Sequence, residues 1–328
     1  MFLILERPQD VRSQSSTDKV TPLHLASKRG HVKIARILIE SDADVEAKNE
    51  DGGTPLHLAL KEGQVEVACM FIERGVDSKA QDKNGVTSLH LALNINGDLG
   101  WGHLEIAFVL IARGANFTAQ NQDEDTPLHL ASQVGQAEVA HILIERGADV
   151  MAQNKDGDTP LHLASFFGYV EVARVLIERG AADVTVQNNN ERSPLHLEFR
   201  SLWLPGQVEV ARMLIECGVG LTAQDNDEDT PLHLASRADH VGIAHIILEH
   251  GADVNAKNRR GLTPLNLAWQ CELVEATNIL LRYGADPGAQ ESMYSKMYSA
   301  DRPSHEQRYL DQMNEAARAA RRYHHRQS

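Results

Sequence analysis

Apolar residues along this chain come in two short bursts, and the pair of bursts recurs. In residues 159–180, TPLHLASFFGYVEVARVLIERG, the first burst is Leu161, Leu163 and Ala164. The second is Val170, Val172, Ala173, Leu176 and Ile177. Its spacing puts those residues on one face of a helix. Thr is a favoured N-cap and Pro suits the first helical position, so Thr159-Pro160 starts the first helix. Gly168 stops it, and Gly180 ends the second. The polar stretch QNKDGD (153–158) ahead of Thr159 is turn chemistry. The unit is therefore a helix–turn–helix with a protruding turn. Two helices this short cannot bury a face alone, so neighbouring units must stack.

The same unit is written eight times. TPLH begins at Thr21, Thr54, Thr126, Thr159 and Thr230, with variants TSLH at Thr87, SPLH at Ser193 and TPLN at Thr263. The intervals are 33, 33, 39, 33, 34, 37 and 33 residues. Over about residues 16–290 the chain resembles the ankyrin repeat family. The resemblance implies paired antiparallel helices with hairpin-like fingers nearly perpendicular to them. It also implies an elongated, curved solenoid whose usual work is binding proteins. The expected fold is all-α, with repeats at 16–48, 49–81, 82–120, 121–153, 154–187, 188–224, 225–257 and 258–290. LILERPQDVRSQ (3–14) is similar to ILIERGADVMAQ (142–153), so residues 1–15 read as a partial repeat, an N-terminal cap or the inside of a longer array. Residues 291–328 read as a linker and a C-terminal helix, with a capping box from Ser304 to Gln307. Their seven Lys/Arg against five Asp/Glu make them net basic.

Departures from the repeat show where packing does not dictate the residue. Six extra residues enter the third repeat around NINGDLGW (94–101), and four enter the sixth around FRSLWLPG (199–206). An extra Ala181 or Ala182 lengthens one junction. Insertions in solenoids map to loops and often to binding faces, which makes Trp101 and Trp203 candidate loop anchors. They also mark the third and sixth repeats as the weakest junctions. Phe166 and Phe167 fall where other repeats carry Lys28 and Arg29, or Lys61 and Glu62. The fold thus accepts polar residues there, and with Phe199 the two rings are candidate apolar anchors. Phe166 is the better surface candidate; Phe167, one turn beyond Leu163, packs partly on a neighbour. Gly52, Gly85, Gly157 and Gly261 sit two before the motif's first residue, where a positive φ is plausible. Glu124, Glu191 and Glu228 hold that slot elsewhere, which predicts looser or different turns. Asp123, Asp125, Asp156, Asp158, Asp227 and Asp229 make an acidic rim of fingertips, and Arg259 and Arg260 reverse the sign in the last repeat.

Net charge sharpens the choice of partner. At −14 over 328 residues, the chain lacks the Lys/Arg excess that a nucleic-acid backbone or an anionic membrane needs. It suits a basic protein segment. Cys69, Cys217 and Cys271 stand at no ligand spacing and suggest reduced thiols in an intracellular, cytoplasmic setting, with the nucleus left open. The apolar start MFLIL is too short for a signal peptide or a spanning helix. Seven of the sixteen histidines (His24, His57, His90, His129, His162, His196 and His233) fill the motif's fourth place. One per repeat, they form a row and do not converge on a centre, each ring bonding the motif hydroxyl or nearby backbone. His31, His103 and His240 start second helices and read as structural; His324-His325 invite only adventitious metal. No catalytic motif appears. The expectation is a monomeric, non-catalytic scaffold without cofactor or metal, binding a protein through its concave side and fingertips. The alternatives are part of a larger sensor, channel or enzyme whose activity lies elsewhere, and a structural spacer.

Overall fold

The structure, a computed structural model, describes residues 13–15, 17–93, 101–196 and 206–287, and of residues 101–103 the backbone only. Among them are fifteen helices and no strand. In chain order they are α1 (Pro22–Lys28), α2 (Val32–Glu40), α3 (Pro55–Lys61), α4 (Val65–Glu73), α5 (Ser88–Leu93), α6 (Trp101–Ala112), α7 (Pro127–Gln133) and α8 (Ala137–Glu145). There follow α9 (Pro160–Phe167), α10 (Val170–Glu178), α11 (Gly206–Glu216), α12 (Pro231–Arg237), α13 (Val241–Glu249), α14 (Pro264–Gln270) and α15 (Val274–Arg282). The fold is all-α, as the apolar periodicity predicts.

Two compact units are distinguished, residues 1–155 with 175–182 and residues 156–174 with 183–328. Within the first, like helices stack on like: α1 on α3, α3 on α5 and α5 on α7, with α2 on α4, α4 on α6 and α6 on α8. In the second, α12 stacks on α14, and α11 on α13 and α13 on α15. The sixth repeat breaks the pattern, and there α9 packs directly against α11. Its SPLH motif forms a turn at 194–196, not a helix, and residues 197–205 lie outside the described residues. The core is aliphatic and repeats slot by slot: Leu23, Leu56, Leu89, Leu128, Leu161, Leu195, Leu232 and Leu265 are all buried. Burying each such side chain contributes about 1.5–3 kcal/mol, which two isolated short helices could not collect.

The motif's caps form as its residues demand. Thr126 is extended at φ −86°, and its hydroxyl accepts the N–H of His129, satisfying one of the orphan donors of the first turn. Its own N–H donates back to Nδ1 of His129. The same reciprocal pair occurs at Thr21 and Thr87, and Thr54, Thr159 and Thr230 likewise donate their N–H to Nδ1 of the motif histidine. Gly168 closes α9 in the left-handed conformation, at φ 69°.

Each finger is one recurrent turn. In the fourth repeat Asn121 N–H donates to the Asp125 carbonyl (3.1 Å) and Glu124 N–H to the Asn121 carbonyl (2.9 Å). The Asn121 side chain accepts the N–H groups of Asp123 and Asp125, each at 2.9 Å. Asp82, Asn188, Asp225 and Asn258 do the same in their fingers. Successive fingers are joined through backbone, as in Lys83 N–H to Asp51 carbonyl (2.8 Å) and Arg259 N–H to Asp227 carbonyl (3.0 Å). The expectation that glutamate would alter the turn fails here. Glu124, Glu191 and Glu228 have φ of 61°, 58° and 59°, beside 81° at Gly52 and 73° at Gly85. Stacking between fingers holds the turn, and the side chain accepts the strain.

Insertions are absorbed at joints. Ala181 takes φ 51°, which loops out the extra residue while Ala182 N–H still closes on the Leu176 carbonyl (3.1 Å). Residues 94–100 lie outside the described residues, but Trp101 does not lie in a loop: it is the first residue of α6. That helix extends two residues upstream of His103, the slot where second helices otherwise start.

Candidate functional site

The exposed tips of the fingers and the ends of the first helices are the surface that varies while the scaffold repeats. Asp123, Asp156 and Asp227 are exposed at the third place of their fingers. The fifth-place carboxylates are placed differently. Asp125 and Asp158 are half-buried, and Asp229 is only 3% exposed. Each accepts a hydrogen bond from the asparagine that opens the next finger: Asn154 to Asp125 (2.9 Å), Asn188 to Asp158 (2.6 Å) and Asn258 to Asp229 (2.7 Å). The six aspartates therefore split into three that face solvent and three that tie fingers together. The exposed acids continue at Glu50, Asp51, Glu124, Glu191 and Glu228, and the sign reverses at exposed Arg259 and Arg260. Arg259 reaches back to Glu228 at 3.5 Å.

Arg192 and Asp225 form a shielded ion pair. Arg192 Nε lies 3.1 Å from Asp225 Oδ2, with the carboxylate 3% exposed. Its other oxygen accepts the N–H groups of Asp227 and Asp229, each at 3.0 Å. Asp229 also lies 3.5 Å from Arg237. Asp225, Asp227 and Asp229 form the one group of candidate metal ligands among the described residues. The oxygens of Asp225 and Asp229 are already engaged by these N–H, amide and guanidinium donors. Sequence reasoning missed Asp225 and the fifth-place ties. The signal was present as an Asn or Asp opening every finger from Asn49 to Asn258.

Phe166 and Phe167 are both half-buried at the end of α9. Their rings meet edge to face with centroids 4.8 Å apart, and Phe167 stacks on Tyr169 at 5.9 Å. Phe166 is no more exposed in kind than Phe167, and its carbonyl accepts Nε2 of buried Gln207 at 2.6 Å. Phe199 and Trp203 lie outside the described residues, as does the side chain of Trp101.

The histidine row is structural. Nδ1 of His24 faces the Thr21 N–H, which can only donate, while Nε2 faces the Gly53 carbonyl (3.1 Å), which can only accept. That pair of partners selects the neutral Nε2–H tautomer. His57 reaches Val86, His90 reaches Asp125, His162 reaches Arg192 and His233 reaches Leu262 in the same way. Burial depresses the ring pKa of His24, His57, His90 and His233, and takes His196 to about 4. The last motif has Asn266 instead, which bonds Thr263 N–H at 2.9 Å but lacks a second ring nitrogen for a following repeat. His240 at the start of α13 is buried, and burial takes it to about 4. His31 stands at the N-cap position of α2, exposed, and its side chain makes no capping hydrogen bond. Cys69 is half-buried, and burial, then Glu73 and Glu105, push its thiol up, away from nucleophilic character. Cys217 and Cys271 are exposed free thiols. His324-His325 lie outside the described residues.

Repeated helix pairs, interlocked fingers and one motif histidine per joint define the architecture. A family model for ankyrin repeats (3 copies) matches residues 1–82, 89–188, 148–225 and 203–291. The chain belongs to the ankyrin repeat family. Ankyrin repeats are generally protein–protein interaction modules, and the family is typically non-catalytic. No curated protein matches the chain. No helix among the described residues of this ankyrin repeat protein is long and apolar enough to cross a membrane.

Proposed function

We propose that this ankyrin repeat chain is a non-catalytic scaffold that binds a partner protein through its fingertips and first helices. The observation that supports this most directly is the division of labour within each finger. First- and fifth-place side chains hold the array together, whereas the tips are exposed and differ from repeat to repeat. A rigid array that displays variable side chains is preorganised, so association costs little ordering entropy. The acidic tips at Asp123, Glu124, Asp156, Asp227 and Glu228 favour a partner with a basic segment, steered by long-range attraction. Phe166 and Phe167 are the apolar contacts of this reading, with Phe199, Trp203 and Trp101 as further candidates; the scaffold acts as a monomer in the cytoplasm.

In-cell crosslinking mass spectrometry would identify the partner and the contacted face together. Asp123→Lys/Asp227→Lys should then slow association with that partner steeply and flatten its salt dependence, while Phe166→Ala should speed dissociation. Unchanged rates in both variants, with folding intact, would rule this face out.

A further inference from the structure

The open side of each second helix carries the same two places, four residues apart. At the first stand Arg36, Cys69, His141, Arg174, Arg212, His245 and Asn278, and at the second Glu40, Glu73, Glu145, Glu178, Glu216, Glu249 and Arg282. None of these is buried. In α6 the two places hold Phe108 and Ala112 instead. With Leu104 they make an apolar ridge at i, i+4 and i+8, and Val109 stands beside it. Leu104 and Phe108 are half-buried, Ala112 is exposed and Val109 is 41% exposed. The packed side of α6 is apolar too, through Ile106, Ala107, Leu110 and Ile111. A helix that is apolar all round is normally buried all round, and this one is not. Stacking does not require the ridge, because the seven other described second helices stack without it.

The charges around the ridge are one-sided. Arg74, Arg113 and Arg146 bond helix-end carbonyls, those of Met70 (3.4 Å), Ile72 and Ile111 (3.0 Å) respectively. Glu73 on α4, Glu105 on α6 and Glu138 on α8 are exposed and enter no ion pair among the described residues. Glu73 and Glu105 both act on the half-buried Cys69 thiol, which marks the α4 side of the ridge.

We propose that the open side of α6 is a docking surface for one basic amphipathic helix of another protein, its apolar stripe on Leu104, Phe108 and Ala112 and its flanking Lys or Arg against Glu73, Glu105 and Glu138. Apolar side chains four residues apart interdigitate with the i, i+4 rows of a second helix. Carboxylates left without cations beside the ridge select a basic partner. A second copy of this chain is disfavoured, since it would set the same carboxylates against one another in a chain of net charge −14. The surface belongs to a second helix, so it adds to the fingertips and first helices of the proposed function and does not depend on them.

The test uses the full chain and a designed helical peptide of leucine and lysine, with leucines at i, i+3, i+4 and i+7, and reads binding by fluorescence anisotropy. Phe108→Arg/Ala112→Glu installs the pair that the fifth repeat carries as Arg174 and Glu178, so it removes the ridge in a form the repeat accepts and leaves net charge unaltered. It should weaken binding at least about tenfold, the loss expected when a central anchor is removed. Glu73→Gln/Glu138→Gln should weaken it several-fold and flatten its salt dependence. Asp123→Lys/Asp227→Lys, at the fingertips, should leave it unchanged. On the unaltered chain, bound peptide should slow alkylation of Cys69 and not of exposed Cys217. A ridge variant that binds as tightly as the parent, binding abolished by the fingertip variant, or a peptide that leaves Cys69 as reactive as before would each overturn the proposal. So would equal binding of a leucine–glutamate peptide of the same pattern. Sedimentation showing a dimer that Phe108→Arg/Ala112→Glu dissociates would overturn it in favour of a second copy.

Discussion

Glu124 offers a direct test of the strain read from the fingers. It sits at φ 61°, where a side chain with a Cβ costs about 1–2 kcal/mol relative to the right-handed region. Glu124→Gly removes that strain and adds about 0.5–1 kcal/mol of unfolded-chain entropy, so the net gain is about 0.5–1 kcal/mol. The turn's own bonds survive, because Glu124 N–H to Asn121 (2.9 Å) and Gln120 Nε2 to the Glu124 carbonyl (3.2 Å) use only the backbone of residue 124. Glu191, at φ 58°, should behave alike. Glu228, at φ 59°, should gain less, because its contact with Arg259 at 3.5 Å is lost, an exposed pair worth about 0–1 kcal/mol. Glu124 and Glu191 share no partner, so the double variant should gain about 1–2 kcal/mol. Urea unfolding followed by far-ultraviolet circular dichroism measures the midpoints, with Glu124→Ala as control. The control removes the same charge but keeps the Cβ. An equal gain from alanine would assign the effect to charge and refute the strain argument, and so would a glycine variant no more stable than the parent.

Glycines in the same slot should separate by what approaches them. A Cβ on Gly157 would lie 2.6 Å from Asn189 N, whereas nothing lies within 4 Å of one on Gly261. Gly261→Ala should therefore cost about 1 kcal/mol from φ alone, and Gly157→Ala at least about 1 kcal/mol more, read from thermal midpoints. Asp225→Ala should destabilise by about 2–4 kcal/mol, since it removes the buried carboxylate that Arg192 and two finger amides bond. Asp225→Asn, which keeps an acceptor for those amides, should cost visibly less in the same unfolding assay. Stability should also fall with acid. His196 and His240 have folded pKa values of about 4 against an ordinary 6.5, so between those values the unfolded chain binds more protons. Unfolding free energy should drop as pH falls through that window, by at most about 1.4 kcal/mol per pH unit for each histidine, and level off below it. Urea midpoints that stay constant from neutral pH to pH 4 would contradict the neutral-histidine assignment.

Most of the scaffold is legible residue by residue. Thr-Pro announces six of the seven described first helices, apolar spacing announces each described second one, and the once-per-repeat histidine announces a joint and not a centre. Each of these depends on near neighbours in the chain, where propensity, capping and periodicity act. The candidate site was legible only in part. Acidic tips at Asp123, Asp156 and Asp227 follow from turn chemistry, but Asp125, Asp158 and Asp229 look identical to them in sequence. Only the asparagine arriving from the next finger makes them structural.

Sequence alone thus determined the repeat, its helices, its caps and the net negative surface, because all of these are local or additive. Tertiary structure decided which carboxylates stay exposed, that glutamate takes a left-handed turn, and that Arg192 is paired with a buried Asp225. The physical reason is stacking. Fingers about one repeat apart in sequence are pressed into hydrogen-bonding distance, and that contact overrides what each residue would prefer on its own.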